Sequence, residues 1–252
     1  MKKLVVDLGH GGHDPGAMGK GGTKESEVVL KIGKYLESML KEFDLEVRFT
    51  RISDKYVSLD DRVEFANNFG ADYFLSIHVN SASDSSVRGV EVWQYNNSDK
   101  HLNEFCSSLC NEISGIFNIR NRGMKLSKSL YVLKNTSMKA ALLEVDFISN
   151  SFCEKDLNNE DNLKAVARVI KDNVLKLYNI KTSDPILYKV CIGTYMEKSN
   201  AISCMNTAKS KGFSDAYIIF WATDVTEAVA SVISLATWSV SPTHRSSVAN
   251  FY

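Results

Sequence analysis

The sequence has no surplus of charge of either sign. Lys and Arg together number 30, Asp and Glu together number 30, and the formal net charge is zero. Proteins that bind nucleic acid in general carry a basic surplus. The composition therefore argues against a nucleic-acid partner, and it leaves a neutral or mixed-charge polymer open as a substrate.

Long apolar runs are also missing. After Lys2 and Lys3 the first apolar stretch covers only residues 4–6 before it meets Asp7, too short for the core of a secretory signal. No stretch approaches the roughly 20 apolar residues that cross a bilayer. We therefore expect synthesis in the cytoplasm without a signal peptide, no membrane span, and access to an external substrate after lysis or release.

Cysteine is sparse and odd in number. The five cysteines are Cys106, Cys110, Cys153, Cys191 and Cys204. An odd count without a secretory signal argues against a disulfide framework. Cys106 and Cys110 lie four residues apart on a predicted helix, but no second Cys or His pair with zinc-site spacing accompanies them. We favour buried, reduced thiols over metal ligands for this pair.

Residues 1–180 alternate between short apolar segments and amphipathic stretches. The predicted strands cover residues 3–8, 45–50, 72–77, 88–95, 129–133 and 140–145. The predicted helices cover residues 24–41, 58–69, 99–117 and 161–178, the first with Thr23 as its N-cap. Such alternation is typical of α/β proteins. We predict a mainly parallel, twisted sheet with helices on both faces.

A second, smaller unit is predicted after this domain. Residues 181–186 contain Ser-Asp-Pro and interrupt the alternation, as a linker does. A strand at 187–192, a helix at 197–211 and a strand at 215–221 predict a small α+β domain over residues 187–252. The composition changes after about residue 221, where lysine is absent, and we expect the end of this domain to be atypical.

Four polar residues are predicted to meet at one edge of the sheet. His10 and His78 each follow a strand, Glu25 opens the first helix, and Glu144 lies near the end of strand 140–145. Ligands bind outside the carboxyl ends of parallel strands. Two histidines and one carboxylate are a standard catalytic zinc set. Glu144 would then be the carboxylate that takes a proton from water and passes it to the leaving nitrogen.

Each of these residues also has a plainer interpretation when it is taken alone. A histidine after a strand is more often structural than a ligand, and a glutamate at a helix N-terminus usually interacts with the helix dipole. Glu144 is harder to explain in this way, because a carboxylate in the apolar run ALLEVDF is costly unless it is paired or bound to a metal. The four positions together favour metal-assisted hydrolysis.

The segments around these residues resemble a known family. They are LVVDLGHGGHDPGAMG, GGTKESEVVLKI, TRISDKYVSLDDRVEFANNFGADYFLSIHVNS, RGVEVW, NRGMKL and LYVLKNTSMKAALLEVDFISN, in order over roughly residues 2–178. Together they resemble the zinc-dependent N-acetylmuramoyl-L-alanine amidases of type 3. The resemblance implies Zn²⁺ held by His10, Glu25 and His78, and catalysis by Glu144. It also implies cleavage of the amide between N-acetylmuramic acid and L-alanine in bacterial peptidoglycan.

Other residues in these segments have weaker assignments. Asn80 lies close enough to His78 to orient the substrate, although a turn residue fits that position equally well. Arg122 is a candidate for contact with an acidic group of the stem peptide. His13 is interpreted as a loop residue, because the family pattern does not use that position as a ligand. Arg51 and Arg62 are expected to make structural ion pairs or hydrogen bonds.

Two positions depart from the family pattern. Asp146 stands where such amidases usually have Gly, two residues after the catalytic Glu. This second carboxylate either raises the pKa of Glu144 or is turned away from the site. Ser26 replaces the Lys that often follows the metal-binding Glu. Neither change removes a proposed ligand or the proposed base.

The second unit has a resemblance of its own. Residues 187–219 resemble a sporulation-related repeat (SPOR-like) domain, through the strand YKVCIGTY, the Asn-Ala start of a helix, and KGFSDAYII. The resemblance implies binding to peptidoglycan, often to glycan strands without stem peptides. A generic βαβ appendage is the alternative.

Three functions are open at this point. The leading one is a cell-wall amidase, acting as an autolysin, a sporulation lysin or a phage endolysin. The alternative is a zinc peptidase that acts on peptidoglycan stem peptides, because the same metal set and carboxylate would serve any amide. A non-catalytic wall-binding protein is the third, and the intact set of two histidines and two glutamates argues against it.

Overall fold

A computed structural model describes residues 2–181, 195–211 and 218 of the chain. The chain divides into two units, Met1–Pro185 and Ile186–Tyr252. Within the described residues, no helix is both long enough and apolar enough to cross a membrane.

The first unit is built on a six-stranded sheet with the order β2-β1-β3-β6-β4-β5. The strands are β1 Lys3–Leu8, β2 Glu46–Phe49, β3 Tyr73–Asn80, β4 Val90–Gln94, β5 Asn121–Leu126 and β6 Lys139–Phe147. Four neighbouring pairs are parallel, and only β4 and β6 run antiparallel to each other. The prediction of a mainly parallel sheet is confirmed.

Helices cover both faces of this sheet, as predicted. They are α1 Glu25–Leu40, α2 Leu59–Phe69, α3 Lys100–Phe117, α4 Tyr131–Asn135, α5 Ser151–Leu157 and α6 Glu160–Leu177. Side chains alternate along β1, so that Leu4, Val6 and Leu8 pack with α1, α3 and α6. Val5 points to the opposite face and packs with α2 and α4. The two apolar clusters fix the sheet between two helical layers.

One predicted strand is wrong. Residues 129–133 were expected to be extended, but the strand in this region is β5, and Tyr131–Asn135 form the short helix α4. A short apolar run does not distinguish a strand from a turn of buried helix by its pattern. The adjacent side chains of Val132 and Leu133 are both buried, which a helical turn allows and a half-buried strand does not. Helix α5 was not predicted either.

The predicted cap of the first helix is also wrong. Lys24 occupies the N-cap position of α1 and makes no side-chain capping bond. The Thr23 hydroxyl instead accepts a hydrogen bond from Asn158 at 2.8 Å. The Thr23 backbone N–H donates to Glu154 at 3.0 Å. Contacts with residues far away in the chain therefore hold the start of α1, in place of a local side-chain cap.

The prediction of buried thiols at Cys106 and Cys110 is confirmed. Cys106, Cys110 and Cys153 are free and buried. Burial raises the pKa of Cys106 to about 12 and that of Cys110 to about 11. These groups are therefore protonated thiols at neutral pH and behave as small apolar side chains.

In the second unit the structure describes one helix, α7 Lys198–Ser210. It agrees with the predicted helix at 197–211. The predicted strands at 187–192 and 215–221 lie outside the described residues, apart from position 218. The likeness to a sporulation-related repeat stays a prediction.

Candidate metal centre

The first unit brings three candidate ligands together beside β1 and β3. His10 comes two residues after the end of β1, and His78 lies two residues before the end of β3. Glu25 is the first residue of α1. In the strand order, the connection after β1 leads to β2 on one side, and the connection after β3 leads to β4 on the other side. Such a switch point opens a crevice at the carboxyl ends of the strands.

The three side chains converge on a common space. The Glu25 carboxylate contacts both rings, with Oε2 at 3.2 Å from His10 Nε2 and Oε1 at 2.9 Å from His78 Nδ1. One ligand atom from each residue lies within 4.8 Å of the other two. Donor atoms that share a tetrahedral zinc ion are about 3.3 Å apart, given bonds of about 2.0–2.1 Å. The residue types and their spacing therefore fit a metal of that kind.

Glu25 is held as an ionised carboxylate in a buried position. Its side chain is 5% exposed, and it also accepts backbone N–H groups from Ala17 and Val79, each at 2.9 Å. Burial alone would raise the pKa of this carboxyl. The hydrogen bonds and charges of His10 and His78 outweigh burial and hold the pKa far below its usual range. Glu25 is thus available as a ligand without deprotonation.

Asp14 orients the His10 ring. Its Oδ2 lies 2.8 Å from His10 Nδ1, which turns Nε2 toward Glu25. Burial lowers the pKa of His10, but Glu25 and Asp14 raise it by more through hydrogen bonds and charge. A carboxylate behind a histidine is a common support for a metal ligand. No role was predicted for Asp14 from the sequence, although its spacing of four residues from His10 was an available signal.

The glycines of the loop after β1 leave room for these rings. A Cβ on Gly9 would lie 2.3 Å from Cε1 of His78. A Cβ on Gly16 would lie 2.6 Å from Cδ2 of His10 and 2.7 Å from Oε2 of Glu25. Gly16 also has a φ of +68°, in the left-handed region that favours glycine. The loop could not bring its ligands this close with larger residues.

Two buried arginines hold the backbone beneath the centre, as the sequence predicted. Arg51 donates to the carbonyls of Gly9 and Ser26, each at 2.8 Å. Arg62 pairs with buried Asp7 at 2.6 Å and donates to the carbonyl of His10 at 2.8 Å. His10 has a φ of +59°, which is uncommon for a residue with a side chain. The arginine contacts offset the strain of that conformation.

Glu144 lies on the strand next to His78 and close enough to Glu25 for the charges of the two carboxyl groups to interact. It is the partner of His78 across β3 and β6, and of Glu91 across β4 and β6. Its Oε2 atom is buried and has no hydrogen-bond partner within the described residues. Burial, followed by the charges of Glu25 and Glu91, raises the pKa of Glu144 well above its usual range. Such a carboxyl is suited to carry a proton near neutral pH.

The structure places Asn80 and Arg122 around one further carboxylate. Asn80 Nδ2 donates to Glu91 Oε1 at 3.1 Å, and Arg122 Nε donates to Glu91 Oε2 at 2.8 Å. Glu91 is 2% exposed, and the sequence analysis did not single it out. The role of Asn80 and Arg122 in substrate binding stays a prediction.

The two departures from the family pattern have structural explanations. Asp146 is turned away from Glu144, since it accepts hydrogen bonds from Arg88 at 2.6 and 2.9 Å and from the Gly89 N–H at 2.8 Å. It does not contribute to the raised pKa of Glu144. Ser26 is buried, and its carbonyl is one of the acceptors of Arg51.

His13 is not part of the ligand cluster. Its ring packs on Tyr56 with the ring centroids 4.1 Å apart, and the three-residue cluster consists of His10, Glu25 and His78. The interpretation of His13 as a loop residue agrees with this placement.

Comparisons with known proteins agree on one family. Residues 4–176 match the family model described as N-acetylmuramoyl-L-alanine amidase. The sporulation-specific N-acetylmuramoyl-L-alanine amidase of Bacillus subtilis is 37% identical over 216 residues, 84% of this chain and 83% of that protein. An endolysin of Bacillus phage SPP1 is 34% identical over 189 residues, 72% of this chain and 68% of the endolysin.

Solved structures show the same relationship. The catalytic domain of the amidase CwlV, from Bacillus (Paenibacillus) polymyxa var. colistinus, has a TM-score of 0.67 and 33% identity to this chain. The match covers 72% of this chain and 100% of that domain. An amidase from Clostridium difficile 630 has a TM-score of 0.65 and 30% identity, and covers 72% of this chain and 98% of its own. The chain belongs to the N-acetylmuramoyl-L-alanine amidase family.

Proposed function

We propose that this protein is a zinc-dependent N-acetylmuramoyl-L-alanine amidase. It would hydrolyse the amide between the lactyl group of N-acetylmuramic acid and the L-alanine of the stem peptide in bacterial peptidoglycan. One observation carries the proposal. Glu144 lies next to His78 of the His10, Glu25 and His78 cluster, and its buried Oε2 has no hydrogen-bond partner among the described residues. Family membership supplies the substrate.

His10, Glu25 and His78 would hold the zinc ion. A bound zinc ion supplies Lewis-acid polarisation and lowers the pKa of water to about 7. Asp14 keeps the Nε2 atom of His10 directed at Glu25, so the ligand set is oriented before any metal binds. The backbone N–H groups of Ala17 and Val79 hold Glu25 in the same way.

Glu144 would act as the proton carrier. It accepts a proton from the attacking water and delivers it to the nitrogen of the departing L-alanine, so one carboxyl serves both halves of the hydrolysis. Its raised pKa makes the carboxylate a stronger base than an exposed glutamate. The free Oε2 leaves an acceptor that no protein group competes for within the described residues.

Digestion of purified cell wall tests this assignment. The wild-type protein should release stem peptides with a free N-terminal alanine and leave free lactyl groups, as read by mass spectrometry of the muropeptides. Glu144→Gln should abolish release and keep one zinc per chain by elemental analysis. Glu64→Gln, which changes an exposed carboxylate on α2, is the control and should digest normally.

The same digestion separates the competing functions. A peptidase would cut stem peptides or their cross-links and leave the lactyl amide intact. A non-catalytic binder would show no metal-dependent release at all. Undiminished activity in Glu144→Gln would remove Glu144 from the mechanism.

We also propose that residues 187–252 bind peptidoglycan as a SPOR-like domain. The sequence resemblance supports this, and the match to the Bacillus subtilis amidase spans enough of the chain to extend past residue 176 into the second unit. Co-sedimentation with purified wall should be stronger for the full chain than for a chain that ends at residue 181. Equal co-sedimentation would contradict the proposal.

A further inference from the structure

A pair of cations shares one buried carboxylate, Glu91, which is the cross-strand neighbour of Glu144. Glu91 Oε2 accepts from Arg122 Nε at 2.8 Å and from Lys125 Nζ at 2.6 Å. Glu91 Oε1 accepts from Asn80 Nδ2 and Trp93 Nε1, each at 3.1 Å. Each carboxylate oxygen of Glu91 therefore accepts two hydrogen bonds.

The two cations keep an excess of positive charge. One carboxylate neutralises only one of them, and within residues 2–181 neither Arg122 nor Lys125 forms an ion pair with another acidic group. In the same part of the chain, the two Nη amines of Arg122 have no hydrogen-bond acceptor. The side chains are 26% and 31% exposed, so unused donors and unneutralised charge face solvent.

The position of this pair relative to the candidate base follows from the strand order. His78 lies on β3, Glu144 on β6, Glu91 on β4, and the two cations on β5, in consecutive order across the sheet. Because both cationic groups bond to Glu91, they lie over β4, about one strand spacing of 4.8 Å from β6. An extended peptide advances about 3.3 Å per residue. An anion at the pair would therefore belong to a residue next to the scissile amide.

We propose that Arg122 and Lys125, aligned by Glu91, bind a free carboxylate of the stem peptide and make the enzyme prefer acidic over amidated substrates. This inference rests on the proposed function, since it names the substrate group that the same site would select. Guanidinium and ammonium groups bind carboxylates through charge-assisted hydrogen bonds, whereas a neutral carboxamide forms weaker ones. Glu91 acts as a positioning residue, because it holds both cations at the edge of the site.

Two substrates that differ in one group test the preference. N-acetylmuramoyl-L-alanyl-γ-D-glutamyl-L-lysine carries a free α-carboxylate on the residue next to the alanine. The analogue with γ-linked D-isoglutamine carries a carboxamide there and has no free γ-carboxylate. We expect the wild-type, zinc-loaded protein to show at least about tenfold higher kcat/KM for the acid, since hydrogen bonds between charged groups are roughly twice as strong as those between neutral groups. The ratio should shrink as salt concentration rises, because the pair is partly exposed.

Variants of the two cations should remove the preference selectively. Lys125→Met and Arg122→Gln should lower kcat/KM for the acid and leave the value for the carboxamide within about twofold. Lys125→Arg should retain the preference. Lys128→Met is the matched control, because Lys128 follows β5 but bonds to the Tyr95 carbonyl and not to Glu91. Zinc content and the thermal midpoint are measured for every variant.

The possible results separate this inference from the proposed function. Equal kcat/KM for the two substrates in the wild-type protein would overturn the inference and leave the amidase assignment standing. An equal loss on both substrates in Lys125→Met and Arg122→Gln, with zinc retained, would mean that the pair only ties β4 to β5, and would also overturn it. Cleavage of neither substrate by the zinc-loaded wild-type protein would reject the proposed function together with the inference.

Discussion

Replacing Glu154 with alanine should loosen the loop that delivers Glu25 to the metal centre. Glu154 lies on α5 and is 6% exposed. Its Oε2 accepts the Gly21 N–H at 2.8 Å, and its Oε1 accepts the Thr23 N–H at 3.0 Å. Since Glu25 begins α1 two residues after Thr23, this one carboxylate sets where the helix starts, in place of a side-chain cap.

The size of the effect follows from these contacts. Each hydrogen bond to a charged group contributes about 1.5–3 kcal/mol. Water replaces part of this at a loop, so we expect a net loss of about 2–4 kcal/mol in the free energy of unfolding. The packing is tight as well, because a Cβ on Gly19 would lie 2.3 Å from the Glu154 Cδ. Removal of a group that supports a metal ligand also weakens metal binding by about 10–100-fold.

The Glu154 contribution should depend on pH in a defined direction. Burial raises the pKa of Glu154, but the Gly21 and Thr23 N–H groups lower it by more, and the net shift is downward. A carboxyl with a lowered pKa in the folded state binds fewer protons there than in the unfolded state. Its stabilisation is therefore complete above about pH 4.3 and is lost as the pH falls through the folded-state pKa.

Urea denaturation and zinc competition with a chelator measure the two effects. The control is Glu160→Ala, which removes an exposed carboxylate that accepts a hydrogen bond from the Tyr35 hydroxyl at 2.9 Å. That variant should change stability by less than about 1 kcal/mol and leave zinc affinity unchanged. A Glu154→Ala protein with wild-type unfolding and wild-type zinc affinity would refute the reasoning, because the loop would then be held without the carboxylate.

Three further predictions concern the residues beneath and beside the ligands. Glu144→Gln should raise the thermal midpoint of the metal-free protein, and the gain should grow as the pH rises above about 4.3. The reason is that the raised pKa of Glu144 in the folded state makes wild-type stability fall with rising pH. A midpoint difference that does not vary with pH would contradict this. Gly16→Ala should lower zinc affinity more than it lowers stability, since its Cβ would meet His10 and Glu25, and isothermal titration checks the comparison. Arg62→Met should cost about 3–5 kcal/mol in urea denaturation, because it strands the buried Asp7 carboxylate, and Asp7→Asn in the same chain should recover part of that loss.

Much of the fold and of the ligand cluster could be predicted from local patterns. The strands β1 and β3 are mostly apolar, and short, mostly apolar segments are typical of buried strands of a parallel sheet. Once the strands are placed, His10 and His78 must lie at the carboxyl edge. Glu25 could be placed there too, because a helix that follows a parallel strand begins at that edge. Helix α4 was missed since its short apolar run has no period of its own.

The supporting residues could not be found in this way. Glu91 and Glu154 act through partners that the fold brings together, and Glu154 contacts residues more than 130 positions away in the chain. A glutamate on a strand or a helix has no sequence signal that distinguishes a buried partner from a solvated one. The assignments of Asn80 and Arg122 stay predictions because they concern contacts with a substrate. The expected localisation and the SPOR-like likeness of the second unit also stay predictions, because the described residues do not test them.

Glu144 was the exception, and the reason is energetic. The two carboxylates near Glu144 already have partners, since Glu25 bonds to two histidines and Glu91 to two cations. Glu144 has a buried oxygen with no partner in the described part of the chain, and the charges of Glu25 and Glu91 act against its ionisation. A fold does not retain such a group for stability, because an unpaired buried carboxyl is destabilising. Burial makes the Glu144 carboxylate costly, which is why it stands out in an apolar run of the sequence. The same burial raises its pKa and suits it to carry a proton, so the sequence could identify Glu144 without knowledge of its contacts.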